Sequence, residues 1–181
     1  MGVKINSNIY ICKTSNIGLA VVKSLCQNFD GDVILTSRDE VKGRKAVEEL
    51  QNEGLNPKYH VLDICEEESV LEMREFMKNT YGGIDVLVNN AGVAFPDDIN
   101  NLFDETSSPD VLSLLDDFKK TLATNYWANK RACDILFPIL NPGARVVNIT
   151  SFDHFLKQLS SSGPWSHILN GQTSQRETQI S

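Results

Sequence analysis

Five short runs of β-branched and aliphatic residues alternate along this chain with stretches of helical periodicity, and no other feature constrains the fold as strongly. The runs are Asn8–Ile11, Val33–Thr36, Lys58–Leu62, Asp85–Asn89 and Arg145–Ile149. Such alternation is the pattern of βαβ units and a parallel sheet. The unbroken apolar character of Val33-Ile34-Leu35 and Val86-Leu87-Val88 predicts strands covered on both faces. Ile17, Ala20, Val21, Ser24 and Leu25 keep helical spacing, as do Ala46, Val47 and Leu50, which end at Gly54, a residue suited to closing a helix. Val70, Met73, Phe76 and Met77 mark a third helix, with Glu66, Glu67 and Glu68 in its first turn complementing the dipole. A fourth carries Leu115, Phe118, Leu122, Tyr126, Cys133 and Phe137 and is expected to stop at Pro138. These apolar stripes read as core faces with no chemical role.

The length, 181 residues, suits one ordinary domain. Lys and Arg number 17 against 24 Asp and Glu, a net charge of −7, which argues against nucleic-acid binding through a basic surface. Seven acids account for that excess: Asp97, Asp98, Asp104, Glu105, Asp110, Asp116 and Asp117, with no Lys or Arg among them. A solvated acidic loop and a docking surface for a basic partner both fit. Cys12, Cys26, Cys65 and Cys133 form no C-x-x-C pair, and His60, His154 and His167 are isolated, so no metal site is expected. The longest apolar runs are far too short for a bilayer, and the N-terminus lacks a signal-peptide core. A reduced, soluble, cytoplasmic protein is expected. The alternation stops after Ser151; Ser160 to Pro164 is a breaker and Thr173 to Ser181 a polar tail. The expected organisation is therefore a domain over 1–151 and a divergent, poorly ordered tail over 152–181.

Four landmarks carry a resemblance. Asp85-Val86-Leu87-Val88-Asn89-Asn90-Ala91-Gly92 holds an N-N-A-G motif closing the fourth strand, Asp63 follows the third, Asn125 lies in the fourth helix, and Val146-Val147-Asn148-Ile149-Thr150-Ser151 ends the fifth strand at a serine. In this order, with Gly18 at the first strand-to-helix junction, they resemble the short-chain dehydrogenase/reductase superfamily. Gly31 to Asp39, Tyr81 to Asp85 and Ala91 to Phe95 narrow the resemblance to cytosolic NADPH-dependent carbonyl reductases, over about residues 9–151. The resemblance implies a Rossmann-type α/β fold, a doubly wound parallel sheet of order 3-2-1-4-5 that stops short of the family's further strands. It also implies NADPH held by Thr14, Ile17, Gly18, Arg38, Lys42, Asp63, Ile64, Asn90 and Gly92, catalytic roles for Asn125 and Ser151, and a carbonyl or quinone substrate bordered by Phe95 and Ser151. Neither a membrane nor a nucleic acid enters that picture.

The departures are specific. Cys12 and Asn16 stand where the family's first two glycines belong, and a side chain at Cys12 costs about 1–2 kcal/mol if φ must be positive there. The second strand ends Leu35-Thr36-Ser37-Arg38, with no acid to repel a 2′-phosphate and with Lys42 one helical turn on; these residues alone leave the cofactor open, and it is the resemblance that implies NADPH rather than NADH. A solvated Arg38 paired with Asp39 is the competing interpretation.

In the family a tyrosine, helped by a lysine four residues later, protonates the carbonyl oxygen. Here the tyrosines are Tyr10, Tyr59, Tyr81 and Tyr126, all before Ser151, and Asp153 stands four residues before Lys157. A positioned general acid typically supplies about 10²–10⁴ in rate. Three functions stay open: a carbonyl reductase relative with impaired catalysis, a non-catalytic NADP-binding or regulatory module, and a reductase with an unusual proton donor. Arg145–Ile149 is also expected to leave an unpaired edge through which the chain self-associates, with Val147 serving as core as well as edge.

Overall fold

The computed structural model describes residues 7–11, 16–93 and 111–150. The first strand, β1 (Ser7–Ile11), leads into α1 (Asn16–Asn28), followed by β2 (Asp32–Ser37), α2 (Glu40–Asn52), β3 (Lys58–Val61), α3 (Glu67–Tyr81) and β4 (Ile84–Asn89). A long helical segment then runs as α4 (Val111–Leu122), a π turn (Ala123–Ala128) and α5 (Asn129–Leu136), and a 3₁₀ turn (Phe137–Ile139) delivers the chain to β5 (Leu140–Asn148). All five strands are parallel in the order β3-β2-β1-β4-β5, as expected. Except for Thr150, the described residues belong to one unit, Met1–Ile149.

Because side chains alternate along a strand, β2 and β4 feed two cores. Val33, Leu35, Val86 and Val88 meet Val22 of α1 and Ala46, Val47 and Leu50 of α2. Ile34, Ile84 and Leu87 meet Val70, Met73 and Met77 of α3 and Ala128, Ala132 and Leu136 of the long helical segment. Helices on both faces make the sheet doubly wound. Gly54 takes φ +83° just past α2, where Gly54 N–H and Leu55 N–H close the helix on Gln51 O and Leu50 O.

Three expectations change. In α1 the buried pair is Gly18 and Val22, while Ile17, Ala20 and Ser24 face solvent. Both sets obey helical spacing, and the small Gly18 brings its own side of the helix to the sheet. The expected stripe on the fourth helix is exposed at Phe118, Leu122, Tyr126 and Phe137, because the π turn intervenes; the turn instead buries Ala128, and α5 buries Ala132 and Leu136. Pro138 sits inside the 3₁₀ turn, where its missing N–H is harmless. Finally, β5 starts at Leu140, not Arg145: Leu140 pairs with Ile84, and the register then slips before Arg145 meets Val86. Three extra residues, including Pro142 and Gly143, are absorbed in that irregularity. Val147, expected in the core, is 43% exposed.

Candidate functional site

In a parallel sheet every strand delivers its C-terminal end to the same rim. Here β1 lies between β2 and β4, with Ile11 opposite Thr36 on one side and Asn89 on the other. The gap between β1 and β4 is the topological switch point, where open α/β sheets bind ligands. Gly18 and Ile17 stand in the first turn of α1, Arg38 follows β2, Lys42 lies in the first turn of α2, and Asp63 and Ile64 follow β3. Asn90 and Gly92 leave β4. Thr14, Phe95 and Ser151 lie outside the described residues, as do Cys12 and most of the acidic cluster; Asp116 and Asp117 are paired with Lys119 and Lys120.

The end of β2 is built from local constraints. Asp39 caps α2 by accepting from Lys42 N–H at 3.0 Å, and Lys42 Nζ lies 3.5 Å from the same carboxylate. That helix-cap amide holds the Asp39 carboxyl below the usual carboxylate range. Arg38 is exposed and makes no ion pair among the described residues. Ser37 is buried, with its hydroxyl donating to Asp39 O at 2.7 Å. This donor set suits a phosphate: a guanidinium that makes no ion pair among the described residues, a lysine in the next helical turn, Asp39 engaged in capping α2 and Glu40 paired with Arg44.

The turn after β3 is held from two directions. Asp63 accepts from Cys65 N–H at 2.9 Å, and Asp63 N–H donates to Ser69 Oγ at 3.0 Å. From the helix packed alongside, Arg131 of α5 donates through Nη2 to Ile64 O at 3.2 Å and to Cys65 O. Its Nε is buried without a partner among the described residues. The Ile64 side chain is buried in the core with Val70 and Met73.

Asn125 lies in the π turn, and its amide grips the chain leaving β4 in both directions. Val93 N–H donates to Asn125 Oδ1 at 2.7 Å, and Asn125 Nδ2 donates to Val93 O at 2.8 Å. Gly92 packs beside it, since a Cβ there would stand 3.4 Å from Asn125 Oδ1. Asn89, buried at the end of β4, donates to Asn148 Oδ1 at 2.8 Å and to Cys133 Sγ at 3.2 Å. Ile149 N–H donates to Asn89 O at 2.8 Å, so the end of β5 lies alongside the N-N-A-G segment. Sequence reasoning missed Asn129, which donates to Ala91 O at 3.0 Å, and Arg131. A signal existed for the first, since a helix gains nothing from two asparagines four residues apart.

Residues 11–159 match the family model described as enoyl-(acyl carrier protein) reductase. The chain belongs to the short-chain dehydrogenase/reductase family. Over 135 residues it is 46% identical to carbonyl reductase (NADPH) 3 of Mus musculus, covering 75% of this chain and 45% of that protein. Carbonyl reductase (NADPH) 1 of Homo sapiens is 42% identical over 135 residues, with the same coverage, 75% and 45%. The chain therefore spans about half the length of these curated relatives or slightly less. Among solved structures, salutaridine reductase from Papaver somniferum superposes with a TM-score of 0.68 at 28% identity, over 84% of this chain and 59% of that one. No helix among the described residues is long and apolar enough to cross a membrane.

Proposed function

We propose that this chain is the NADPH-holding part of a cytoplasmic carbonyl reductase and that, as these 181 residues, it does not complete the reduction. The observation that carries the cofactor reading is the exposed Arg38 at the end of β2, beside an Asp39 engaged by Lys42. In this reading Arg38 and Lys42 meet the 2′-phosphate, Thr14, Ile17 and Gly18 border the pyrophosphate, Asp63 and Ile64 border the adenine, and Asn90 and Gly92 line the crevice. NADPH, when bound, supplies a hydride to a carbonyl carbon of a ketone or quinone. Asn125 keeps the β4 exit in place, Ser151 hydrogen-bonds the carbonyl oxygen, and Phe95 borders the substrate. The proton is what the chain lacks, since no tyrosine follows Ser151.

A second reading, an NADP-binding interaction module, draws support from the exposed Val147 on β5 and Ile149 just beyond it. Two measurements test what both readings share, cofactor binding without turnover. Titration of the purified chain should quench or shift NADPH fluorescence saturably. Mixing NADPH with a quinone or aryl ketone should consume it no faster than a heat-treated control. Absence of saturable binding overturns the cofactor reading; turnover that disappears in Ser151→Ala overturns the catalytic one.

A further inference from the structure

We propose that Asn129 is a positioning residue that works with Asn125 as a two-amide clamp on the backbone leaving β4, and so sets the shape of the crevice at the switch point. The inference rests on the cofactor reading above for its functional meaning, and on geometry alone for the clamp.

Ala91 to Val93 lie beyond the last ladder pair of β4, so their backbone groups need partners from elsewhere. The long helical segment supplies them through side chains. Asn125 takes both polar groups of Val93, and Asn129 Nδ2 reaches back to Ala91 O at 3.0 Å. The same Nδ2 lies 3.1 Å from Thr124 O and 3.3 Å from Asn125 O, within the π turn. One amide thus joins the β4 exit to the carbonyls of the turn that carries Asn125. Asn competes with helical backbone and is a poor helix former, so its presence at the start of α5 needs a reason of this kind. The buried contacts of α5 come from Ala132 and Leu136 and do not involve the Asn129 amide. Removing that amide should free the β4 exit and leave the core intact.

The test uses the whole 181-residue chain and three variants, Asn129→Ala, Asn129→Asp and Asn129→Gln. Asp keeps the volume but replaces the donor with an acceptor facing three carbonyls; Gln keeps the amide on a longer stem. Amide hydrogen exchange is followed in the peptide covering Asn89 to Val93 and, as a control, in α2, alongside NADPH titration. Ala and Asp should speed exchange at Ala91 to Val93 by about tenfold and raise the NADPH Kd by about tenfold, the scale of one lost hydrogen bond. Gln should bring both values back to within about threefold of the parent, and α2 should not change in any variant. Unchanged exchange at Ala91 to Val93 in Ala and Asp overturns the proposal, and so does equal acceleration in α2, which would mark general destabilisation. Accelerated exchange in a chain that binds no NADPH leaves the clamp standing and removes the cofactor reading instead.

Discussion

Asp39 gives its carboxylate to the Lys42 amide, 3.0 Å away, and not to its sequence neighbour Arg38. The helix cap therefore keeps Asp39 from competing with an anion for the guanidinium. Arg38→Ala should raise the Kd for NADPH by about tenfold or more, as expected for a charge-assisted hydrogen bond, and leave that for NADH nearly unchanged. Parallel fluorescence titrations decide it, and equal losses for both cofactors would make Arg38 merely structural.

The same cap predicts a pH dependence. A carboxyl held below its ordinary range stabilises the fold above that range, and the contribution is lost as pH falls through the folded-state value. The parent chain should lose stability on acidification more steeply than Asp39→Asn, whose side chain does not titrate. Urea melts at neutral pH and near pH 3 measure the difference.

Gly43 of α2 should resist the usual gain from replacing a helical glycine. Ser37 and Tyr59 lie beneath it, with Tyr59 OH donating to Ser37 O at 3.1 Å. A Cβ at Gly43 would come 2.2 Å from Tyr59 Cε2 and 2.4 Å from Ser37 Oγ. Gly43→Ala should destabilise by about 1–3 kcal/mol through overpacking, despite the better helix propensity of Ala. The double variant Gly43→Ala with Tyr59→Ala should recover part of that loss in thermal melts.

Cysteine reactivity should follow burial. Cys65 is exposed, whereas burial pushes the thiols of Cys26 and Cys133 up, and Cys133 also accepts from Asn89. Since the thiolate is the nucleophile, iodoacetamide at neutral pH should label Cys65 well before Cys26 or Cys133. Peptide mass spectrometry over a time course gives the order.

Self-association through β5 is the remaining expectation. Among the described residues β5 is hydrogen-bonded only to β4, and Val147 and Ile149 are exposed. Sedimentation velocity should show a concentration-dependent larger species. Because Val147 is exposed, Val147→Lys should suppress it with little change in melting temperature. A strictly monomeric parent chain would show the edge to be covered.

Much of this fold was legible because the parallel strands are apolar on both sides and leave a strong local signal. Val33 to Leu35 and Val86 to Val88 marked the strands on either side of β1, and Arg38, Asp63 and Asn90 follow the ends of β2, β3 and β4 on one rim. The fourth helix was misjudged because periodicity assumes one helical pitch throughout; a π turn at Ala123–Ala128 changes the phase, and Phe118 and Tyr126 end up in solvent. The start of β5 was hidden by Pro142 and Gly143, which ordinarily break strands but here occupy a register slip. Arg38 could be nominated from sequence, but its freedom from Asp39 depended on the cap.

The two flanks of the sheet are chemically unlike. On one side β3 is four residues long, with Lys58 at its start tied to Asp32 and Val61 exposed at its end. On the other, β5 runs for nine residues with Val147 and Ile149 open to solvent just at and beyond its end. A particle with one adhesive flank has a valence of one, and when two such particles meet about a twofold axis each satisfies the other. Association through β5 would then favour a closed pair over a filament, because among the described residues the β3 flank offers the next copy a shorter template.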